Sequence, residues 1–460
     1  MKDIKHSTTA TDEEKENGVM DDSGVIYSPD GKRLLQMSLF GRKSKSYTVK
    51  DGTEVICDDA FMGCISLKSI VLPKSVELIG KAPFTIGTEI VSHSDRFAVK
   101  DGLLIDLEEK RLIQCISNKE HIEIPGGIES IGDSAFYDCR GLQTIVLPQS
   151  IKVIGQAPFH AVNVQSYTDM KIVSHSDKFV VKDGLFMDLE EKRLIRCVSN
   201  EKHIEVYYGI VSIGNNAFEG CRSLQSIILP DSVTAIGECG FVGCESLQSI
   251  VLSQSLASIE DWVFNGCKSL QSIVLPNSVT TIGDNAFEGC KSLQSITLSN
   301  SLTSIGNVAF AGCKSLQNIV LPDLLTSIGD IAFARCESVQ NIILPNSVTH
   351  IGDCAFSGCK SLQSIVLPEL VTSIGDRAFA GCESLQTIVL PKSLTSIGDE
   401  AFFGCTSLQG IVIPDLVTSI GDSAFADCKS LQTIVVPDSV ISIGYGVFTG
   451  CISLQSYITI

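Results

Sequence analysis

The sequence is poor in the features that mark most functional classes. It has no run approaching the roughly 18 apolar residues of a membrane span, so no membrane insertion is expected. It has no excess of positive charge: 35 Lys and Arg stand against 53 Asp and Glu, a formal net charge of −18. Phosphate backbones and anionic lipid heads are repelled by such a balance, and no nucleic-acid partner is expected. Residues 1–23 are polar and charged and lack the apolar stretch of a signal peptide. As written, the chain therefore reads as soluble and cytoplasmic, with a disordered N-terminus over 1–23. No GxxxxGK[ST] phosphate loop occurs; Gly289-Cys-Lys-Ser292 shares only its tail. Ser92-His93-Ser94-Asp95 has the letters of a catalytic triad, but residues adjacent in sequence seldom supply its geometry. No acid, base and nucleophile converge, so no enzyme, cofactor or metal site is expected.

What the sequence does have is a beat. Phenylalanine falls every 23 residues, at Phe218, Phe241, Phe264, Phe287, Phe310, Phe333, Phe356, Phe379, Phe402, Phe425 and Phe448. A unit of 23 residues cannot close a core of its own, so each copy must lay its apolar residues on the next, which is a stacked solenoid. Thirteen of the 18 cysteines sit three residues after a repeat phenylalanine. Cysteine at spacing 23 gives no CxxC pair, and the parallel side chains of a ladder rarely offer the dihedral of a disulfide. The column reads as small buried hydrophobes in a reducing setting. Cys239 and Cys354 lie off the column, at a variable position expected to be exposed.

Within one copy, Ile282 to Ser304, two periods alternate. Asp284 before Asn285-Ala286-Phe287 has the form of a helix N-cap and Gly289 that of a stop, which predicts one short helical turn. Ile296-Thr-Leu298 alternates with period two and predicts a short strand with Ser295 and Thr297 outward. Most copies follow with Leu-Pro, which ends the ladder. The pattern I-G-D-x-A-F-x-G-C-x-S-L-x-x-I-x-L-P-x-S-V-T-S, seen with small departures from Ile351 to Ser373, resembles the BspA-like leucine-rich repeat family. The resemblance covers nearly everything from about Thr53. It implies a right-handed, curved array with the L-x-x-I-x-L strands in one parallel sheet, and adhesion or host contact at a cell surface.

A larger repetition precedes the array. Gly24 to Leu35, Gly102 to Ile113 and Gly184 to Ile195 align without gaps, each as two apolar runs around a turn. The expected organisation is a hairpin plus two repeats over 24–90, the same over 91–172, and a hairpin plus eleven repeats over 173–460, continuing as one solenoid. The hairpins are expected to protrude or to cap. The fold class is thus a β-rich α/β solenoid with short parallel strands, one helical turn per repeat and three inserted β-hairpins.

Function is sought on the faces. The outward strand column holds Val251, Val274, Thr297, Val320, Ile343, Val366, Val389 and Val412, beside Ser272, Ser295, Asn318, Asn341 and Ser364. An uncharged apolar ribbon of this length marks a contact surface, although branched residues also suit any pleated sheet. Trp262, on the variable column, is a further contact candidate. The residues favour a non-enzymatic scaffold with a protein partner; the alternative is a spacer or rod that associates end to end through the edge of its last strand, from Ser456.

Overall fold

The computed structural model describes residues 7–38, 41–161 and 170–459. They form two compact units, one of Met1–Glu191 with Ile195–Ser199, the other of Lys192–Leu194 with Asn200–Ile460.

In the second unit each copy has three sides. The first is a three-residue strand such as Ser295–Thr297, and the second a two-residue strand such as Ser304–Ile305. Both stack in parallel at a constant offset of 23, with Ile319 opposite Ile342 and Ile305 opposite Ile328. A constant offset keeps like over like, so each inward isoleucine, leucine or phenylalanine meets the same or a similar apolar side chain in the next copy. Phe287, Phe310, Phe333, Phe356 and Phe379 stack with ring centroids 5.1 to 5.5 Å apart and planes within 7°. Burying one such side chain contributes about 1.5–3 kcal/mol.

The third side corrects an expectation. It is not a helical turn but a chain of tight turns, closed by Glu288 N–H to Asn285 O and Cys290 N–H to Phe287 O, both at 3.1 Å. A helix is broken at both ends because Asn285 (φ +56°) and Gly289 (φ +70°) lie in the left-handed region. In exchange, Asn285, Phe287 and Gly289 donate to the carbonyls of Asn307, Ala309 and Ala311 in the next copy, at 2.7 to 2.8 Å. The turns are a third ladder between copies.

Nor does Asp284 cap a helix. Its Oδ1 accepts the Asn307 N–H at 2.6 Å, and the same bond runs from Asp399 to Asp422 N–H at 2.7 Å. The Gly of Ile-Gly-Asp makes room for it: a Cβ on Gly306 would stand 2.5 Å from Asp284 Oδ1. The cysteine column is buried except at half-buried Cys451, and no disulfide joins it among the described residues. From Cys244 to Cys451 each Sγ–H donates to the phenylalanine carbonyl of the preceding copy, as from Cys313 to Phe287 at 3.2 Å.

In the first unit, Phe97–Lys100, Leu103–Asp106 and Arg111–Cys115 form an antiparallel meander whose last strand pairs in parallel with Ser130–Ile131, a repeat strand. This hairpin neither protrudes nor caps. Its period-two alternation sends Leu104 and Ile113 into one core with Phe61 and Phe84, and Leu103, Ile105 and Leu112 into another with Phe136 and Phe159. It is a wall between two blocks of repeats. Ser46–Thr48 and His121–Glu123 also serve as rungs of the repeat sheets although no Phe-x-x-Cys unit precedes them.

Residues 1–6 of the expected disordered tail lie outside the described residues, but part of the remainder is folded. Asp12–Glu16 is a short helix capped reciprocally by Thr11 and Glu14, and Val19–Met20 pairs with Val25–Tyr27. Buried Arg33 accounts for the order. A guanidinium out of water needs acceptors, and it finds Glu14, Thr9 O at 2.8 Å and Ser7 O at 3.1 Å. At the other end Ser456–Thr459 pairs with Thr433–Val436; its side chains and Ile460 lie outside the described residues.

Candidate protein-binding face

Several polar columns of a copy are engaged in stacking. Besides the Asp and Cys ladders, Thr303 Oγ1 donates to Thr280 O at 3.1 Å and Thr395 to Thr372 O at 2.9 Å. Ser347 Oγ donates to Leu325 O at 2.6 Å, and Ser393 to Val371 O at 2.7 Å. Much of the charged column after cysteine is paired along the array, with Lys268 to Glu245 at 3.0 Å and Lys314 to Glu337 at 2.8 Å. Such surface pairs add little stability, but they leave a neutralised flank.

The outer side of the three-residue strands is different. Val251, Val274, Val320, Ile343, Val366, Val389 and Val412 are exposed, from 55% at Val389 to 81% at Val320 and Ile343. Thr297, Ser272, Ser295, Asn318, Asn341 and Ser364 are exposed beside them. The ladder brings these side chains into two adjacent columns, roughly 4.8 Å apart from copy to copy. Their outer side faces water, so burial does not account for valine there and strand propensity is the one demand of the fold.

Trp262 is not part of this face. It lies on the turn side, 42% exposed, in the left-handed conformation with φ +60°. Cys239 and Cys354, on the same column, are half-buried rather than exposed, and burial pushes the Cys239 thiol up to about 11. The turn side shares that column with Arg377 and Glu400, whose carboxyl is held below its ordinary value by the guanidinium at 2.8 Å.

The two-residue strands line a shallow trough of about 580 Å³ containing Asp261, Asp284 and Asp330, with a similar one of about 520 Å³ at Asp353 to Asp422. Their carboxylates already accept main-chain N–H groups. Among the described residues no three His, Cys, Asp or Glu side chains are grouped to hold a metal ion. His93 is exposed in a loop where Ser92 and Ser94 hydroxyls accept N–H groups two residues on, so the triad letters serve the turn. No helix among the described residues is long and apolar enough to cross a membrane.

The sequence profile of the BspA type leucine rich repeat region matches residues 36–93, 107–182, 211–340, 280–408 and 326–455. The chain belongs to the BspA-type leucine-rich repeat family. No curated protein sequence matches it. Among solved structures it is similar to a leucine-rich repeat protein from Bacteroides ovatus, at 25% identity over 95% of this chain and 91% of that one, with a TM-score of 0.49. It is also similar to a leucine rich cell surface protein from Faecalibacterium prausnitzii, at 23% identity over 80% and 95% of the two chains, with a TM-score of 0.43.

In the BspA-type copies one further set of residues stands out, and the 23-residue pattern alone passes over it. Leu324, Leu370 and Leu416 are exposed at 54 to 57%, at the corner after the outward valine. The copies between them carry Ser347 and Ser393, whose hydroxyls bond the preceding copy. The signal in the sequence is the alternation of Leu with Ser, a period of 46 residues laid over the period of 23.

Proposed function

We propose that this BspA-type repeat chain is a non-enzymatic scaffold that binds a protein partner through the outward face of its three-residue strands. The observation that carries the reading is the exposed valine and isoleucine ribbon, an apolar surface on a molecule whose Asp, Cys, Thr and Ser ladders are engaged in stacking. Apolar surface of this length is costly in water and marks contacts. Adhesion or host contact is the setting that the family resemblance implies.

The test replaces Val320 and Val366 by lysine together. Both side chains point to solvent, so circular dichroism and melting should match the parent. Capture of protein ligands from cell-surface extracts by the immobilised chain, read by mass spectrometry, should fall at least tenfold. Equal capture by the parent and the double variant overturns the sheet-face reading.

A further inference from the structure

Leu324, Leu370 and Leu416 are more than half exposed and lie outside the buried core. The serine that occupies their position in neighbouring copies donates to a main-chain carbonyl of the preceding copy, a bond that leucine cannot make. Each leucine follows a carboxylate, Asp323, Glu369 or Asp415, in a turn that is exposed. Glu369 accepts the Lys392 N–H at 3.2 Å; Lys392 is the single cation interleaved among these acids. From Leu324 to Leu416 an apolar group beside an acid thus recurs every second copy, parallel to the ribbon Val320, Ile343, Val366, Val389 and Val412.

The spacings identify the kind of partner. Rungs repeat at about 4.8 Å, so the valines step by about 4.8 Å and the leucines by about 9.6 Å. The a and d positions of a heptad helix step by about 5.25 Å on average, and one heptad by about 10.5 Å. Over the four rungs from Leu324 to Leu416 the mismatch is about 2 Å, within reach of leucine rotamers. An extended strand laid along the array presents same-face residues every ~6.7 Å and is out of step by the second rung. A polyproline helix matches the leucine step at about 9.3 Å but offers one group per turn and leaves alternate valines bare.

We infer that the face takes an amphipathic helix lying along the array, with a heptad apolar stripe on the valine ribbon and Lys or Arg beside it meeting Asp323, Glu369 and Asp415. This rests on the sheet-face reading above and names its partner's chemistry.

The probes are two synthetic 21-residue peptides of the same leucine and lysine composition, one with six leucines at a and d of three heptads, the other with six leucines at every third position from residue 3 to residue 18. Fluorescence anisotropy should show the heptad peptide binding the parent chain at least tenfold more tightly than the permuted one, with a gain of helix by circular dichroism. Leu324→Ser, Leu370→Ser and Leu416→Ser together adopt the residue of the neighbouring copies and should weaken it tenfold or more. Equal binding of both peptides, or no loss in the triple serine variant, overturns the helical partner. If Val320→Lys with Val366→Lys lowers ligand capture while the triple serine variant binds the heptad peptide undiminished, the sheet face stands and the helix falls. If the lysine variant changes neither capture nor peptide binding, both fall.

Discussion

At the scale of the residue, the repeat motif is a record of contacts with the next copy. Gly306 is glycine because the Asp284 carboxylate of the preceding copy fills the space where a Cβ would be, 2.5 Å away, with the Gly283 carbonyl carbon at 2.6 Å. Gly306→Ala must push that carboxylate off the Asn307 N–H, and should cost about 1–3 kcal/mol, read as a lowered urea midpoint. The variable column has the opposite logic. Val308 and Ile331 hold φ of +60° and +61°, where β-branched residues are strained. Ile331→Asn, with a side chain that tolerates this region, should raise stability by about 1 kcal/mol, read from the same midpoint. An unchanged or lower midpoint would mean that the half-exposed isoleucine packs more than it strains.

Elements show what could and could not be read from the chain. The inward set of Phe, Cys, Leu and Ile was legible because it is periodic, and Phe310 and Cys313 are buried as that period requires. The wall formed by Leu103–Asp106 and Arg111–Cys115 was legible as a hairpin but not in its placement. A fully buried strand has apolar residues on both sides and looks like any short apolar run. Asp284 misled because an N-cap and an inter-copy acceptor use the same carboxylate, and the N–H it meets is 23 residues away. The outward valines were legible as exposed, whereas Leu324 and its two companions needed the longer period to be noticed. The cysteine ladder carries a pH prediction. Burial pushes Cys290, Cys359 and Cys405 up to about 12 from an ordinary 9. The folded state keeps its thiols protonated where the unfolded chain releases protons, so stability is full below pH 9 and falls as pH rises toward 12. Urea midpoints measured from pH 7 to 11 should be flat to about 9 and then decline; a flat profile to 11 would contradict burial of the column.

For the molecule as a whole, the constant offset of 23 makes each contact nearest-neighbour, so stability within the eleven-copy array is a sum of copies and the interfaces between them. A weakened interface should then divide the array rather than soften it evenly. Phe333 stacks on Phe310 at 5.2 Å and on Phe356 at 5.5 Å and is buried. Phe333→Ala removes both stacks and leaves a cavity, costing about 3–5 kcal/mol. The loss falls on the nearest-neighbour interfaces on either side of that copy, so the copies before and after residue 333 should exchange and melt as separate segments. Hydrogen exchange read by mass spectrometry tests this directly. Amides of Phe310 and Phe356, which donate to the next copy's carbonyls at 2.7 and 2.8 Å, should lose protection first at the break. Amides several copies away in either direction should keep theirs. A single sharp melt at the parent temperature, with protection unchanged at Phe310 and Phe356, would show that the phenylalanine stack is not what couples the copies and would shift that role to the Asp and turn ladders.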